Sequence, residues 1–134
     1  MIVVVEEYAV PKRAVRTDQA APAGGPYSQA VVAGDTVYLA GAIPALPDGT
    51  RVTGSFAEQA HAAFRNLAAA ATAAGGSLDQ AVRVGVYLRD FGDFAEMNEI
   101  YAQYLTGEHP PVRTTLPVAL QGMDIEVDAI LYLG

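Results

Sequence analysis

An alanine-rich segment from Ser55 to Ala74 is the feature that most constrains the fold. Its apolar side chains recur at helical spacing, and Gly75-Gly76 follows it directly, as is typical of a helix that ends at a glycine. Ser55 is followed three residues later by Glu58, which is the pattern of a capping box at the start of a helix. The segment therefore predicts a long helix whose apolar face packs against a second layer.

Strand-like segments lie before and after this helix. Two runs of β-prone residues are joined by Gly34-Asp35 and predict a hairpin, because glycine supplies the positive φ of the turn. A second helix is predicted to begin at Asp93 and to end by Gly107. The predicted strands are 15–17, 27–33, 36–40, 81–88, 112–120 and 124–133, with Val82, Val84, Val86 and Leu88 on one face of the fourth.

This order of elements predicts an α+β sandwich with one mixed sheet of about six strands. If each helix crosses over between parallel strands, both helices cover the same face of that sheet. The other face would carry Tyr38, Tyr87, Ile130 and Tyr132. Bare aromatic and aliphatic surface of this extent normally marks an interface, so a homo-oligomer with facing sheets is predicted.

Composition excludes several classes of protein. The chain of 134 residues fits one domain. Its net charge of −7, with Lys12 as the single lysine, argues against nucleic acid as a partner, because binding phosphates needs a basic face. Cysteine is absent, which excludes disulfides and thiolate ligands. No apolar run approaches the ~20 residues that span a bilayer, and residues 1–7 lack the pattern of a signal peptide. A cytoplasmic protein without membrane contact is expected.

Arg113 is the first candidate for chemistry. It follows Pro110-Pro111, and prolines restrict the backbone both at their own position and at the residue before them. A guanidinium held in this way suits a planar carboxylate, which it can bind through two parallel hydrogen bonds. The alternative is a solvated charge or one half of a surface ion pair.

The acidic candidates are Glu126 and Asp128, which share one face of the last strand. Asp128 is expected to return alongside Arg113, and the alternative is a structural salt bridge to Arg113 itself or to Arg83. His61 and His109 are read as a surface side chain and a loop residue. Neither has a neighbouring ligand pattern, so no metal and no cofactor is predicted.

Five segments of the sequence, in this order and spacing, carry a resemblance to a known family: Ala21 to Ala30, Gly41 to Pro44, Phe94 to Tyr101, Pro111 to Thr114, and Ile125 to Ile130. Through them, residues 15–134 resemble the Rid family of YjgF-type imine/enamine deaminases. That resemblance implies a chorismate-mutase-like fold, assembled as a homotrimer with active sites in clefts between subunits. It also implies hydrolysis of reactive 2-imino and 2-enamino acids, of the 2-aminoacrylate type, to 2-keto acids and ammonia.

The resemblance also implies roles for single residues. Arg113 matches the arginine that binds the substrate carboxylate, and Tyr27 matches the tyrosine that lines the pocket and donates a hydrogen bond. Asn98 matches an asparagine that supports the site. Asp128 stands where members usually carry glutamate, thought to act on the attacking water.

Two departures from the family pattern bear on the pocket. Ala40-Gly41-Ala42 replaces Ser-Gly-Gln, and Thr115 replaces a cysteine found in some members. These changes favour a more apolar pocket. The alternatives are therefore a specialised biosynthetic enzyme for a bulkier enamine, or a non-catalytic trimer that binds a small carboxylate metabolite. Residues 1–14 are expected to form an N-terminal arm or an extra strand.

Overall fold

The computed structural model describes residues 11–134, so most of the N-terminal arm or extra strand expected at residues 1–14 lies outside the described part. Short 3-10 turns at Leu78–Gln80 and Phe91–Asp93 precede the fourth strand and the second helix. The regular elements are β1 (Arg13–Val15), β2 (Ala30–Ala33), β3 (Thr36–Ala42), α1 (Phe56–Ala73), β4 (Ala81–Leu88), α2 (Phe94–Tyr104), β5 (Val112–Pro117) and β6 (Ile125–Tyr132).

The six strands form one mixed sheet in the order β1-β2-β3-β6-β4-β5. The last strand, β6, lies in the middle and runs antiparallel to both β3 and β4, so those two run parallel to each other. Strands β4 and β5 pair in parallel. Each helix therefore joins two parallel strands, and both pack on the same face. The predicted α+β architecture is confirmed.

Local signals explain where α1 begins and ends. The Ser55 hydroxyl accepts a hydrogen bond from the backbone N–H of Glu58 at 3.2 Å, which satisfies one of the free donors of the first turn. At the other end Gly75 has a φ of 89°, a conformation that glycine adopts without strain. Both ends agree with the sequence prediction to within a residue.

The start of α2 uses a different device. Asp90 caps the preceding 3-10 turn by accepting a hydrogen bond from the N–H of Gly92 at 2.8 Å. Asp93, the predicted opening residue, stands just before Phe94 and makes no capping hydrogen bond with its side chain.

In the described part of the chain, the hydrophobic core lies between the helices and the sheet. Alternating residues of β4 and β6 point into it, as expected for strands with one buried face. The largest side chains with almost no solvent exposure are Phe64, Leu67, Leu88, Met97, Ile125 and Leu131.

One face assignment in the sequence prediction is wrong. Val82 is 47% exposed and does not join Val84, Val86 and Leu88 in the core. The pairing of β4 with β6 is irregular between Ala81 and Arg83, and an extra residue of this kind shifts the alternation of faces. The first strand also lies at 13–15 rather than 15–17.

Among residues 11–134, no helix or strand covers the face of the sheet opposite the helices, which agrees with the prediction for this part of the chain. Tyr38 pairs with Ile130, and Tyr132 pairs with Thr36, all on this face. The two tyrosines are about half exposed, and Leu116 of β5 is similar. We call this surface the open face. Oligomerisation through it stays a prediction. Within residues 11–134, neither helix is long and apolar enough to cross a bilayer.

Candidate active site

Arg113 lies on β5, at one edge of the sheet, and its side chain is directed to the helix face. Its backbone pairs with the buried Val84, and paired residues share a face. The guanidinium carbon lies 4.8 Å from the ring centroid of Tyr101 and 5.7 Å from that of Phe94. No carboxylate of residues 11–134 lies within ion-pair distance of it. In the described part of the chain its N–H groups are thus not engaged by an acid.

Asn98 and Thr115 belong to the same edge of the molecule. Asn98 falls between Phe94 and Tyr101 on one side of α2, because residues three and four apart on a helix are neighbours. Thr115 lies two residues beyond Arg113, on the same face of β5, and both polar residues are half-buried. The structure therefore brings together Arg113, Asn98 and Thr115, three of the predicted site residues.

Tyr27 lies elsewhere, in the loop before β2. It is 53% exposed, and its hydroxyl accepts a hydrogen bond from the N–H of Gly24 at 3.0 Å. Its ring stands at a cavity whose wall includes Ala40 and Gly41 of β3, so these three predicted site residues also meet. The rest of the wall is mostly apolar and includes Ala20, Ala42, Ile43, Leu67 and Ala70.

Gln29 holds the loop that carries Tyr27. Its side-chain oxygen accepts a hydrogen bond from the N–H of Thr17 at 2.7 Å. Its amide nitrogen donates to the carbonyl oxygens of Thr17 and Ala21. The Gln29 side chain thus supplies hydrogen bonds to the backbone at both ends of the segment 17–21, where no strand of the described part pairs with it.

Asn66 is a second support that the sequence analysis missed. It is a buried residue of α1, only 6% exposed. Its oxygen accepts from the N–H of Ala21 at 3.0 Å, and its nitrogen donates to the carbonyls of Ile43 and Ala45. It therefore fixes both walls of the cavity beside Tyr27. A polar residue within the alanine-rich face was the only signal for it.

Asp128 lies on the open face and already has partners. The Tyr87 hydroxyl donates to its Oδ2 at 3.1 Å, and Arg83 Nη1 lies 3.5 Å from its Oδ1. Burial, followed by the negative charge of Asp128, raises the pKa of Tyr87. Gly85 of β4 pairs with Asp128, and a Cβ at Gly85 would collide with the Asp128 carboxylate.

The expectation that Asp128 lies beside Arg113 is wrong. Arg113 pairs with Val84, whereas Asp128 pairs with the next residue of β4, Gly85, and successive residues of a strand face opposite sides. The two side chains are on opposite faces of the sheet. The alternative, a salt bridge to Arg83, is confirmed.

Glu126 shares the open face with Asp128 and has the more unusual environment. It lies against Gly41, where an added Cβ would be 2.9 Å from its Oε1. Burial, and then the negative charge of Asp128, raises the pKa of the Glu126 carboxyl, while Arg51 acts in the opposite direction. Glu126 therefore keeps its proton to higher pH than an ordinary glutamate does.

Apart from Asp128, the predicted site residues form two groups that are well separated in one chain. Gly41 is on β3 and Arg113 is on β5, and both β6 and β4 lie between them. Three strand spacings amount to something on the order of 14 Å. A small metabolite cannot touch both groups of the same chain.

The two histidines have no ligand-like surroundings. His61 is half-buried rather than on the surface, and its Nδ1 is 2.7 Å from the Tyr104 hydroxyl. His109 is exposed in the loop before β5, as expected. Residues 11–134 contain no group of three or more histidine or acidic side chains that could hold a metal ion.

Comparison with known proteins gives consistent matches. Residues 17–133 match the family described as Endoribonuclease L-PSP. A RutC family protein of Pyrococcus horikoshii is 42% identical over 124 residues, which cover 90% of this chain and 98% of the relative. A 2-iminobutanoate/2-iminopropanoate deaminase of Dermatophagoides farinae is 34% identical over 126 residues, covering 92% and 98%. The crystal structure of RidA from the Antarctic bacterium Psychrobacter sp. PAMC 21119 has a TM-score of 0.84 at 39% identity, covering 90% and 98%.

Proposed function

Because the chain belongs to the Endoribonuclease L-PSP family, which includes the YjgF and RidA proteins, we propose that it is a deaminase of 2-imino and 2-enamino acids. Arg113 binds the substrate carboxylate. The observation that carries the proposal is the Arg113 guanidinium, which lies over two aromatic rings with no acidic partner among residues 11–134. A relative with 34% identity is named as a deaminase of this kind.

The proposed reaction needs neither a nucleophilic side chain nor a metal. A protonated imine carbon is already electrophilic, so water adds to it, the carbon–nitrogen bond breaks, and a 2-keto acid and ammonium are released. Catalysis then consists of holding the carboxylate, placing the water, and moving a proton from that water to the departing nitrogen.

Glu126 suits the proton transfer better than Asp128, to which the family resemblance assigned it. Asp128 is held by Arg83 and Tyr87, whereas the pKa of Glu126 is raised by burial and by Asp128 itself. In the proposal, Glu126 accepts the proton of the attacking water and returns it to nitrogen. Asp128 contributes by keeping the proton affinity of Glu126 high.

The proposed site is completed by a second copy of the chain, within a homotrimer. The separation of Arg113 from Gly41 and Tyr27 supports this assembly, because each copy would supply one group to a shared cleft. The exposed apolar side chains of the open face support it as well. Site, trimer and a cytoplasmic location are parts of the proposal.

The test is the variant Arg113→Ala. We expect it to abolish release of keto acid from enzymatically generated 2-aminoacrylate, because a charge-assisted pair contributes roughly 1.5–3 kcal/mol and also orients the substrate. Light scattering should show the same assembly as the wild-type protein. Arg65→Ala, which removes an exposed arginine of α1, is the matched control and should leave the rate unchanged. An unaltered rate in Arg113→Ala would contradict the proposal.

A bulkier substrate is the second candidate, and the composition of the cavity beside Tyr27 favours it. Ala40 and Ala42 contribute no polar group there, and Leu67 and Ala70 close it from the helix side. A screen of imino acids with side chains of increasing size separates the two functions. Endoribonuclease activity, which the family description names, is disfavoured by the net charge of −7, because binding RNA phosphates needs a basic surface. Tight keto-acid binding without turnover would instead indicate a binding protein.

A further inference from the structure

We propose that Tyr101 and Phe94 are positioning residues that hold the Arg113 guanidinium over their rings, so that its N–H edge is presented to a planar carboxylate. We call these two side chains the aromatic cradle. The inference rests on the proposed function, because it concerns the same arginine. The cradle explains how the long, flexible side chain of Arg113, at the edge of the sheet, is held in one orientation.

The spacing of the cradle residues fits this role. Phe94 and Tyr101 are seven residues apart on α2, which places them on one side of the helix two turns from each other. The Arg113 guanidinium lies over both rings, at 5.7 Å and 4.8 Å from their centroids. Attraction between a cation and the electron-rich face of a ring acts within about 6 Å. Both contacts fall inside that range.

The cradle is itself anchored on each side. The Tyr101 ring meets the fully buried Phe64 edge-on, with centroids 5.9 Å apart and planes at 82°. The Phe94 ring stacks on Phe91 at 5.0 Å. Aromatic pairs of these two geometries are favourable. The Tyr101 ring therefore rests on the core, and the Phe94 ring rests on Phe91, which is itself 45% exposed.

The chemistry of arginine makes such support useful. A guanidinium lying on aromatic rings still has its N–H edge available, and that edge matches the two oxygens of a carboxylate. Orientation before binding lowers the entropy lost when the substrate is ordered. Within residues 11–134, no acid competes for Arg113 within ion-pair distance. The cradle thus orients the guanidinium without neutralising it.

The decisive variant is Tyr101→Leu, which removes one ring and keeps an apolar side chain. We expect the Kd for 2-ketobutyrate, measured by calorimetry, to rise about 5- to 20-fold, and KM to rise more than kcat falls. The Arg113 Nε–H signal in NMR spectra, assigned by its loss in Arg113→Lys, should move because the ring current is gone. Tyr101→Phe retains the ring and should restore both properties. Phe94→Leu is a second variant with the same expected direction.

Tyr104→Leu is the matched control for packing. Tyr104 lies on the same helix and stacks on Phe64 at 5.2 Å, and its ring is not one of the two on which the Arg113 guanidinium lies. Tyr104→Leu should lower Tm about as much as Tyr101→Leu does, and it should leave the Kd for 2-ketobutyrate within twofold of the wild-type value. The cradle is overturned if Tyr101→Leu binds 2-ketobutyrate as tightly as the wild-type protein, or if Tyr104→Leu weakens binding equally.

The outcome distinguishes this inference from the proposed function. If the wild-type protein binds 2-ketobutyrate but does not deaminate imines, and Tyr101→Leu binds more weakly, the cradle is supported and the deaminase function is contradicted. If the wild-type protein is active and Tyr101→Leu behaves like it, only the cradle is contradicted. If the wild-type protein binds no keto acid, both proposals are contradicted.

Discussion

Glu126 and Asp128 share one face of the central strand, and the negative charge of Asp128 adds to burial in raising the pKa of Glu126. Asp128 is itself held by Arg83 at 3.5 Å and by the Tyr87 hydroxyl at 3.1 Å. One acid is therefore held in place by its partners, and its negative charge makes its neighbour harder to ionise.

Asp128→Asn should lower the pKa of Glu126. The substitution removes a negative charge from the same face and leaves an oxygen that can still accept from Tyr87. Carbon-13 NMR of the Glu126 carboxyl should show the titration midpoint moving to lower pH, and the corresponding limb of the kcat/KM profile should move with it. Asp35→Asn, in the exposed turn between β2 and β3, is the control. If the titration midpoint of Glu126 does not move, the charge of Asp128 does not raise the pKa of Glu126.

Stability should depend on pH through Glu126. Its pKa is higher in the folded chain than in the unfolded one, so its stabilising contribution is complete below the unfolded pKa and is lost as pH rises through the folded pKa. Glu126→Gln cannot ionise and escapes that loss. In urea unfolding at pH 4 and pH 7, the variant should gain stability relative to the wild-type protein as pH rises. A difference that is constant across this range would contradict the shift.

The parts of the fold with local signals were predictable. Ser55, Glu58 and Gly75 mark the ends of α1, and the cap bond and the positive φ are present. Val82 was misplaced because the irregularity after Ala81 arises from pairing with β6, a strand more than forty residues away. Alternation within one strand carries no information about such a partner.

The candidate site was predictable residue by residue but not as an arrangement. Proline stiffening and the family resemblance singled out Arg113, and the resemblance singled out Tyr27. Which face Asp128 occupies relative to Arg113 depends on the register of β4 with two neighbours. Asn66 was missed because its partners, Ala21, Ile43 and Ala45, lie more than twenty residues away in sequence.

Asn66→Ala should be strongly destabilising. It leaves one partly buried N–H and two carbonyl groups without their partner, and each such loss typically costs about 1–3 kcal/mol. Because neighbouring groups relax, we expect a fall of about 2–4 kcal/mol in the free energy of unfolding, measured with urea. Thr72→Ala, at an exposed position of the same helix, should change it by less than about 0.5 kcal/mol. Equal effects in the two variants would show that the Asn66 bonds contribute little.

Gly41→Ala should reduce activity without unfolding the protein. The new Cβ would lie 2.9 Å from Oε1 of Glu126, and this atom is the end of a flexible side chain that can move away. Stability should therefore change by less than about 1 kcal/mol, whereas misplacing the proposed proton carrier by about 1 Å costs on the order of 10²-fold in rate.

Gly92→Ala is the matched control for this last variant. Its Cβ would also meet a carboxylate oxygen, Asp90 Oδ1 at 3.1 Å, but on the turn before α2 and away from Glu126. Imine hydrolysis and urea unfolding of both variants give four measurements, of which only the rate of Gly41→Ala should fall by a large factor. If the Gly41→Ala enzyme retains full activity, Glu126 does not need its present position, and the assignment of the proton carrier returns to Asp128.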